Sequence, residues 1–289
     1  LKKCLEATAK IKYAGIRKVT VSDGNKTKTF VERVLRDGHK LRVEFPNDSP
    51  YAGQITIETP EKRLQYLPGP NEIRQLGGRR FDMGFRREGS GSTKPEPALD
   101  YDTSSGGRVA GQTTTKLEIR AKKDNRLYQR LWIDERRAMI LKREMYNSRG
   151  EVVGGFEFTS IRYDVRLPSN AFEINRPGAK LVTPETELRR LAQELSIRAV
   201  RLPKAENLEL VSVRKFTVDG QTLLRQSYVG SLGRVSLFLV KGPFKREWLE
   251  GLQSDRYAVH TGTKSGVSYV LIGDVKGEVL KRLASSLTS

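Results

Sequence analysis

Few residues of this chain have chemistry to offer. His39 and His260 are the two imidazoles among 289 residues, and Cys4 is the one thiol. His39 opens a strand right after a turn and His260 sits late in another, so neither lies in a nucleophile or metal motif. A single cysteine excludes an internal disulfide and a thiol-rich zinc site, and a metal centre would need mostly carboxylate ligands. The paired carboxylates Asp100/Asp102 and Asp134/Glu135 fall in a loop and a turn, where such pairs are usually solvated. Gly89-Ser90-Gly91-Ser92-Thr93-Lys94 has the glycines and lysine of a phosphate loop. Pro95 follows the lysine, however, where a Ser or Thr opening a helix is required. No Gly-x-Ser-x-Gly elbow is present. These residues predict no catalytic site, no metal and no cofactor, and leave binding as the work of the chain.

The elements that would position a binding site are mostly strands. Residues 1–11 carry a helical stripe, and strand signals follow at 13–21. Residues 27–35 and 39–45 flank Asp37-Gly38, a two-residue hairpin loop. Taken literally, that turn pairs Val34 with Leu41, Glu32 with Val43 and Phe30 with Phe45. One face is then apolar except for Glu32, which reads as a paired buried acid, a cavity mouth or a slipped register. Strands are expected at 54–59, 63–67, 114–121, 128–134, 138–146 and 152–163. Glycines and serines over 77–111 mark a long flexible insertion, either a surface loop or a lid or partner-binding loop. A boundary lies near 175–183. Beyond it Thr183 caps a helix with Pro184 in its first turn, and Leu188, Leu191, Ala192 and Leu195 form one stripe. Strands at 208–218, 221–229, 234–241, 256–261 and 267–272 precede a closing helix over 274–287. The pattern predicts an α+β, mostly antiparallel chain with domains at 1–180 and 181–289.

Composition narrows the partners. With 37% hydrophobic residues the chain can bury a core, and 53 basic against 34 acidic residues leave a net charge of +19. Such a balance attracts nucleic acid, anionic lipid or an acidic protein segment. No helix-turn-helix, zinc finger or aromatic ribonucleoprotein strand is legible, so nucleic acid is the weakest of these. No stretch approaches the roughly 20 apolar residues of a membrane span. The chain starts at Leu1, which a cleaved signal peptide would explain and so would any truncation.

The ordered motifs resemble RseB/MucB-type proteins. Leu5-Glu6-Ala7 followed by Tyr13-Ala14-Gly15-Ile16 is similar to the opening of that family. Arg108-Val109-Ala110-Gly111-Gln112, Leu131-Trp132-Ile133-Asp134 and Phe156-Glu157-Phe158-Thr159 are similar to its middle. The run from Gln226-Ser227-Tyr228 to Val235-Ser236-Leu237-Phe238 is similar to a strand pair near its end. The chain departs at Gly230-Ser231, where the family has Asp-Gly, and at Pro203-Lys204-Ala205, where it has Pro-x-Gly-Phe.

The resemblance implies an N-terminal LolA-like unclosed β-barrel wrapped over helices and enclosing an apolar cavity, with a smaller RseB-like α+β C-terminal domain. It implies export to the periplasm or another extracytoplasmic place by a signal peptide that precedes these residues. It further implies a non-enzymatic regulator in the envelope stress response, which binds the extracytoplasmic domain of a membrane anti-sigma factor and releases it when lipid or lipoprotein acyl chains bind. On this sequence the cavity wall would include Phe30, Val34, Leu41, Val43, Phe45, Ile55, Ile57, Leu64 and Tyr66, which also read as ordinary core. The protein partner would meet Tyr228, Leu232, Arg234 and Phe238, a stretch that also reads as a core strand. The basic excess suits lipid phosphates at an anionic membrane surface. A LolA-type lipid or lipoprotein carrier is the alternative function.

Overall fold

The computed structural model describes residues 10–22, 26–77, 98–203, 207–218, 220–244 and 257–289. The described residues up to 73 and over 98–179 form one compact unit, and 74–77 with 180 onward form a second.

The first unit is a single antiparallel sheet. Its strands are β1 (Lys12–Ser22), β2 (Thr27–Asp37), β3 (Lys40–Glu44), β4 (Ile55–Glu58), β5 (Arg63–Leu67), β7 (Leu99–Val109), β8 (Gln112–Ala121), β9 (Leu127–Asp134), β10 (Ile140–Tyr146) and β11 (Val152–Tyr163). A short β6 (Glu72–Leu76), unforeseen in the sequence, runs across the division between the units. The order β5-β4-β3-β2-β1-β11-β10-β9-β8-β7 is linear, so the sheet is not closed by hydrogen bonding among the described residues. The helix expected at 1–11 falls, for residues 1–9, outside the described residues.

Two expectations are corrected. The β2–β3 hairpin turns on Gly38-His39, because Asp37 pairs with Lys40 and Val34 with Val43. Gly38 takes φ +57 and His39 does not take a positive φ, which suits a loop with glycine at its first central position. The shift moves each partner by two residues, so every side chain keeps the face assigned to it. The second correction concerns the insertion read over 77–111. Residues 99–109 are the strand β7, paired along most of β8, and only 78–97 lie outside the described residues. The sequence Leu-Asp-Tyr-Asp-Thr-Ser-Ser-Gly-Gly-Arg-Val hides a strand because β7 is an edge whose side chains are mostly exposed. Such a strand needs no apolar alternation.

The second unit has the antiparallel order β13-β14-β15-β17-β16. These strands are β13 (Leu208–Val218), β14 (Gln221–Gly230), β15 (Gly233–Lys241), β16 (Ala258–Lys264) and β17 (Val267–Gly273), and a short β12 (Lys180–Val182) precedes them. Helices α1 (Pro184–Glu194) and α2 (Gly277–Ser285) share one core with the sheet, built on Leu188, Leu191, Leu224, Leu237, Leu271, Leu280 and Leu283. Thr183 caps α1 as its sequence predicts: its side chain accepts from the Thr186 amide, and the Thr186 hydroxyl accepts from the Thr183 amide.

Candidate functional site

Directly paired residues share a face of a sheet, so the register assigns every side chain of the first unit to one side or the other. One side, the inner face, carries Tyr13, Arg17, Phe30, Glu32, Val34, Val43, Phe158 and Ile161, all buried. Gly15 lies among them in β1, and a Cβ there would stand 2.8 Å from the Phe158 ring and 2.9 Å from the Ser160 carbonyl. The close approach of ring to backbone therefore needs glycine in the Tyr13-x-Gly15 motif.

Glu32 is a paired buried acid. Arg17 stands directly across from it in β1 and donates from Nε at 2.7 Å, with a second nitrogen at 2.6 Å from the same oxygen. The Arg17 guanidinium also lies 5.2 Å from the centre of the Phe156 ring. Two charges are thus held in an apolar wall because each satisfies the other.

The nine residues expected to line one cavity do not share a wall. Phe30 and Phe45 form an aromatic trio with Tyr51, at centroid distances of 5.1–6.0 Å, and Tyr51 is 40% exposed. Val34 and Leu41 pack in a core with Tyr13, Leu141 and Phe158, while Val43 is buried opposite Val34. Ile55, Ile57, Leu64 and Tyr66 lie on the outer face, because Ile57 pairs with Arg42 and Leu64, and Ile55 with Glu44 and Tyr66. There Ile55, Ile57 and Tyr66 pack against Phe172 and Ile174. Arg42 ties that segment down by donating to the Ala171 and Glu173 carbonyls. Tyr51 was not legible as a member of the trio, since it follows Pro50 in a turn whose course the sequence does not give.

Asp134, expected to be solvated, is buried instead. One carboxylate oxygen accepts from the Arg136 and Arg137 amides at 2.8 and 3.0 Å, and the other accepts from the Tyr163 hydroxyl at 2.8 Å. Burial, and then the bond to Asp134, push the Tyr163 phenol well above its ordinary range. The carboxylate closes the β9–β10 turn onto β11.

In the second unit an open cleft of about 1050 Å³ lies beside α1, with Leu188, Leu202, Pro203, Leu208, Leu210 and Tyr228 among its lining residues. The Tyr228 hydroxyl donates to Gln226 Oε1 at 2.6 Å and accepts from the Leu202 amide, and Gln226 Nε2 donates to the Val200 carbonyl. This buried network fixes the segment 200–202 as one rim of the cleft. Burial pushes the Tyr228 phenol upward.

The four residues expected to meet a protein partner separate as well. Tyr228 lines the cleft, and Leu232 packs against the core on that side. Arg234 pairs with Val229 and Phe238 with Arg225, which puts both on the opposite face of the sheet. Arg234 is exposed, its amide donating to Asp274, and Phe238 is buried 5.9 Å from the Phe216 ring.

Among the described residues no three His, Cys, Asp or Glu side chains converge as metal ligands, and no helix is long and apolar enough to cross a membrane. Residues 88–175 match the family described as the MucB/RseB N-terminal domain. A search of curated proteins found no match. Among solved structures, the chain is similar to MucB in complex with MucA(peri), at 16% identity over 99% of this chain and 96% of that one, with a TM-score of 0.44. It is similar to a chain of the Pseudomonas aeruginosa MucA/MucB complex, at 15% identity over 99% of this chain and 96% of that one, with a TM-score of 0.43. An uncharacterized conserved protein from Thermus thermophilus shows 14% identity over 63% of this chain and 95% of that one, with a TM-score of 0.43. The family match takes in the motifs at 108–112, 131–134 and 156–159, so over residues 88–175 the chain is similar to the MucB/RseB N-terminal domain.

Proposed function

We propose that this chain is a non-enzymatic, extracytoplasmic regulator of the RseB/MucB type. It holds the extracytoplasmic segment of a membrane anti-sigma factor and lets go when acyl chains bind. The family match over residues 88–175 carries this reading. We read the first sheet as the LolA-type unclosed barrel over helices, and the chain as exported to the periplasm. The acyl chain would enter at Phe30, Phe45 and Tyr51, where rings meet beside a part-exposed tyrosine. Removing acyl surface from water contributes about 0.8 kcal/mol per methylene. A ligand with that much differential affinity for the released state shifts the equilibrium away from the partner. The protein partner would use the cleft beside α1, whose lining mixes leucines with Arg189, Arg201, Glu185 and Glu209.

The test is capture in the native envelope with a tagged chain, followed by crosslinking and mass spectrometry. Recovery of a single-span protein with a cytoplasmic sigma-binding segment supports the regulator, provided its purified extracytoplasmic segment binds and acyl lipid displaces it. Recovery of many lipoproteins or loose acyl lipids without such a protein favours a LolA-type carrier.

A further inference from the structure

The outer face of the first sheet combines uncompensated positive charge with interfacial side chains. Lys18, Arg33 and Arg162 lie on it together. Ile16 pairs with Arg33 on one side and Ser160 on the other, Ala14 pairs with Arg162, and Lys18 pairs with Glu157. All three cations are exposed, as is Ile16 at 38%. Among the described residues none of the three has an ion-pair partner.

The acids near the three cations are already engaged, and Asp102, unpaired among the described residues, lies on the edge strand β7, five strands from β1. Glu157 and Glu144 both hold Lys142, Glu44 holds Arg42, and Glu118 holds Arg120 and Arg130. The positive excess of the face is therefore concentrated around Ile16. The cross-strand row continues from Lys18 through Glu157 and Lys142 to Trp132, with the Lys142 ammonium 4.7 Å from the Trp132 ring centre. Arg130 sits likewise over Tyr146, and Arg126 over Tyr128.

We propose that this outer face, centred on Lys18, Arg33 and Arg162, docks on an anionic membrane surface. Cations near an anionic leaflet each strengthen attachment, and an exposed aliphatic between them, with part-exposed Trp and Tyr farther along the same face, suits the headgroup level. Nucleic acid fits less well, because cations already cover the ring faces on which bases would stack. The proposal does not rest on the regulator reading: it needs no anti-sigma factor and no acyl cavity.

The full chain would be co-sedimented with vesicles of phosphatidylcholine alone and of phosphatidylcholine mixed with phosphatidylglycerol. Binding is expected only to the mixture, falling as salt is raised from about 0.1 M, where the screening length is about 10 Å, to about 1 M. The variant Lys18→Gln/Arg33→Gln/Arg162→Gln is expected to lose about a hundredfold in partition coefficient, since each cation near the surface contributes about a fivefold factor. A control, Lys241→Gln/Lys276→Gln/Lys281→Gln, removes the same charge from the second unit and is expected to lose far less. Thermal melts establish that both variants are folded. Failure to bind anionic vesicles overturns the proposal, as does an equal loss in the control. Binding of a short DNA duplex with the same dependence on these three residues overturns it in favour of nucleic acid.

Discussion

Arg17 and Glu32 show how a charged pair survives within an apolar wall. Their side chains are 8% and 10% exposed, so neither is well hydrated, and removing one leaves the other as a buried charge whose desolvation is uncompensated. Glu32→Ala is expected to destabilise the first unit by about 3–5 kcal/mol in urea unfolding. The double variant Arg17→Met/Glu32→Leu should return much of that loss, because two apolar side chains of similar size leave no buried charge. A double variant as unstable as Glu32→Ala would show that shape rather than charge was lost. Tyr163 gives a pH prediction of definite sign. Its phenol is raised in the folded chain from an ordinary value of 10.0, so its contribution is intact below that pH and is lost as pH rises beyond it. Stability should therefore fall on the alkaline side of about pH 10. Tyr163→Phe, less stable at neutral pH for want of the Asp134 bond, should fall less steeply there. Equal alkaline slopes would remove Tyr163 from the account.

Helix α1 illustrates an element written plainly in its residues: a capping threonine, proline in the first turn and a leucine stripe. Replacing Thr183 by Ala removes the side-chain acceptor for the Thr186 amide and should cost the second unit about 1 kcal/mol, read as a lowered urea midpoint at unchanged slope. A cost near zero would mean that the Thr186 side of the box suffices. The same legibility held for most strands of both sheets, where alternation and Gly-containing turns agree. It failed where the physics is not local. Strand β7 is polar because it is an edge, so composition marked it as loop. Ile55 and Ile57 read as continuing the apolar wall of β2 and β3, yet register sends them to the other side of the sheet. Their alternation is correct for a half-buried strand. Which half is buried depends on Phe172 and Ile174, more than a hundred residues away in sequence, and no spacing within β4 records that. Glu32 looked anomalous for the same reason, since its partner stands on a different strand.

At the scale of the whole molecule, each unit has a core of its own. The second packs two helices on one face of a five-stranded sheet, with Leu224, Leu237, Leu239, Leu271, Leu280 and Leu283 essentially inaccessible to solvent. Its chain end is also secured, because Arg201 and Thr288 exchange backbone hydrogen bonds at 2.8 and 2.9 Å. The residues 74–77 that cluster with it add the pairing of β6 with β12 and a hydrogen bond from the Gly77 amide to the Val211 carbonyl, each such bond contributing about 1 kcal/mol. None of residues 74–77 or 180–182 belongs to the leucine core of this unit, which carries its stability. The fragment 180–289 is therefore expected to fold alone and to unfold in one cooperative transition. Its enthalpy near 60 °C should be about 0.7 kcal/mol per residue. Calorimetry decides the matter: agreement between calorimetric and van't Hoff enthalpies identifies one unit. A broad transition of much lower enthalpy would mean that this core needs the rest of the chain. If the fragment folds, the cleft beside α1 can be titrated with a partner segment in the absence of the first sheet, which separates protein binding from acyl-chain binding.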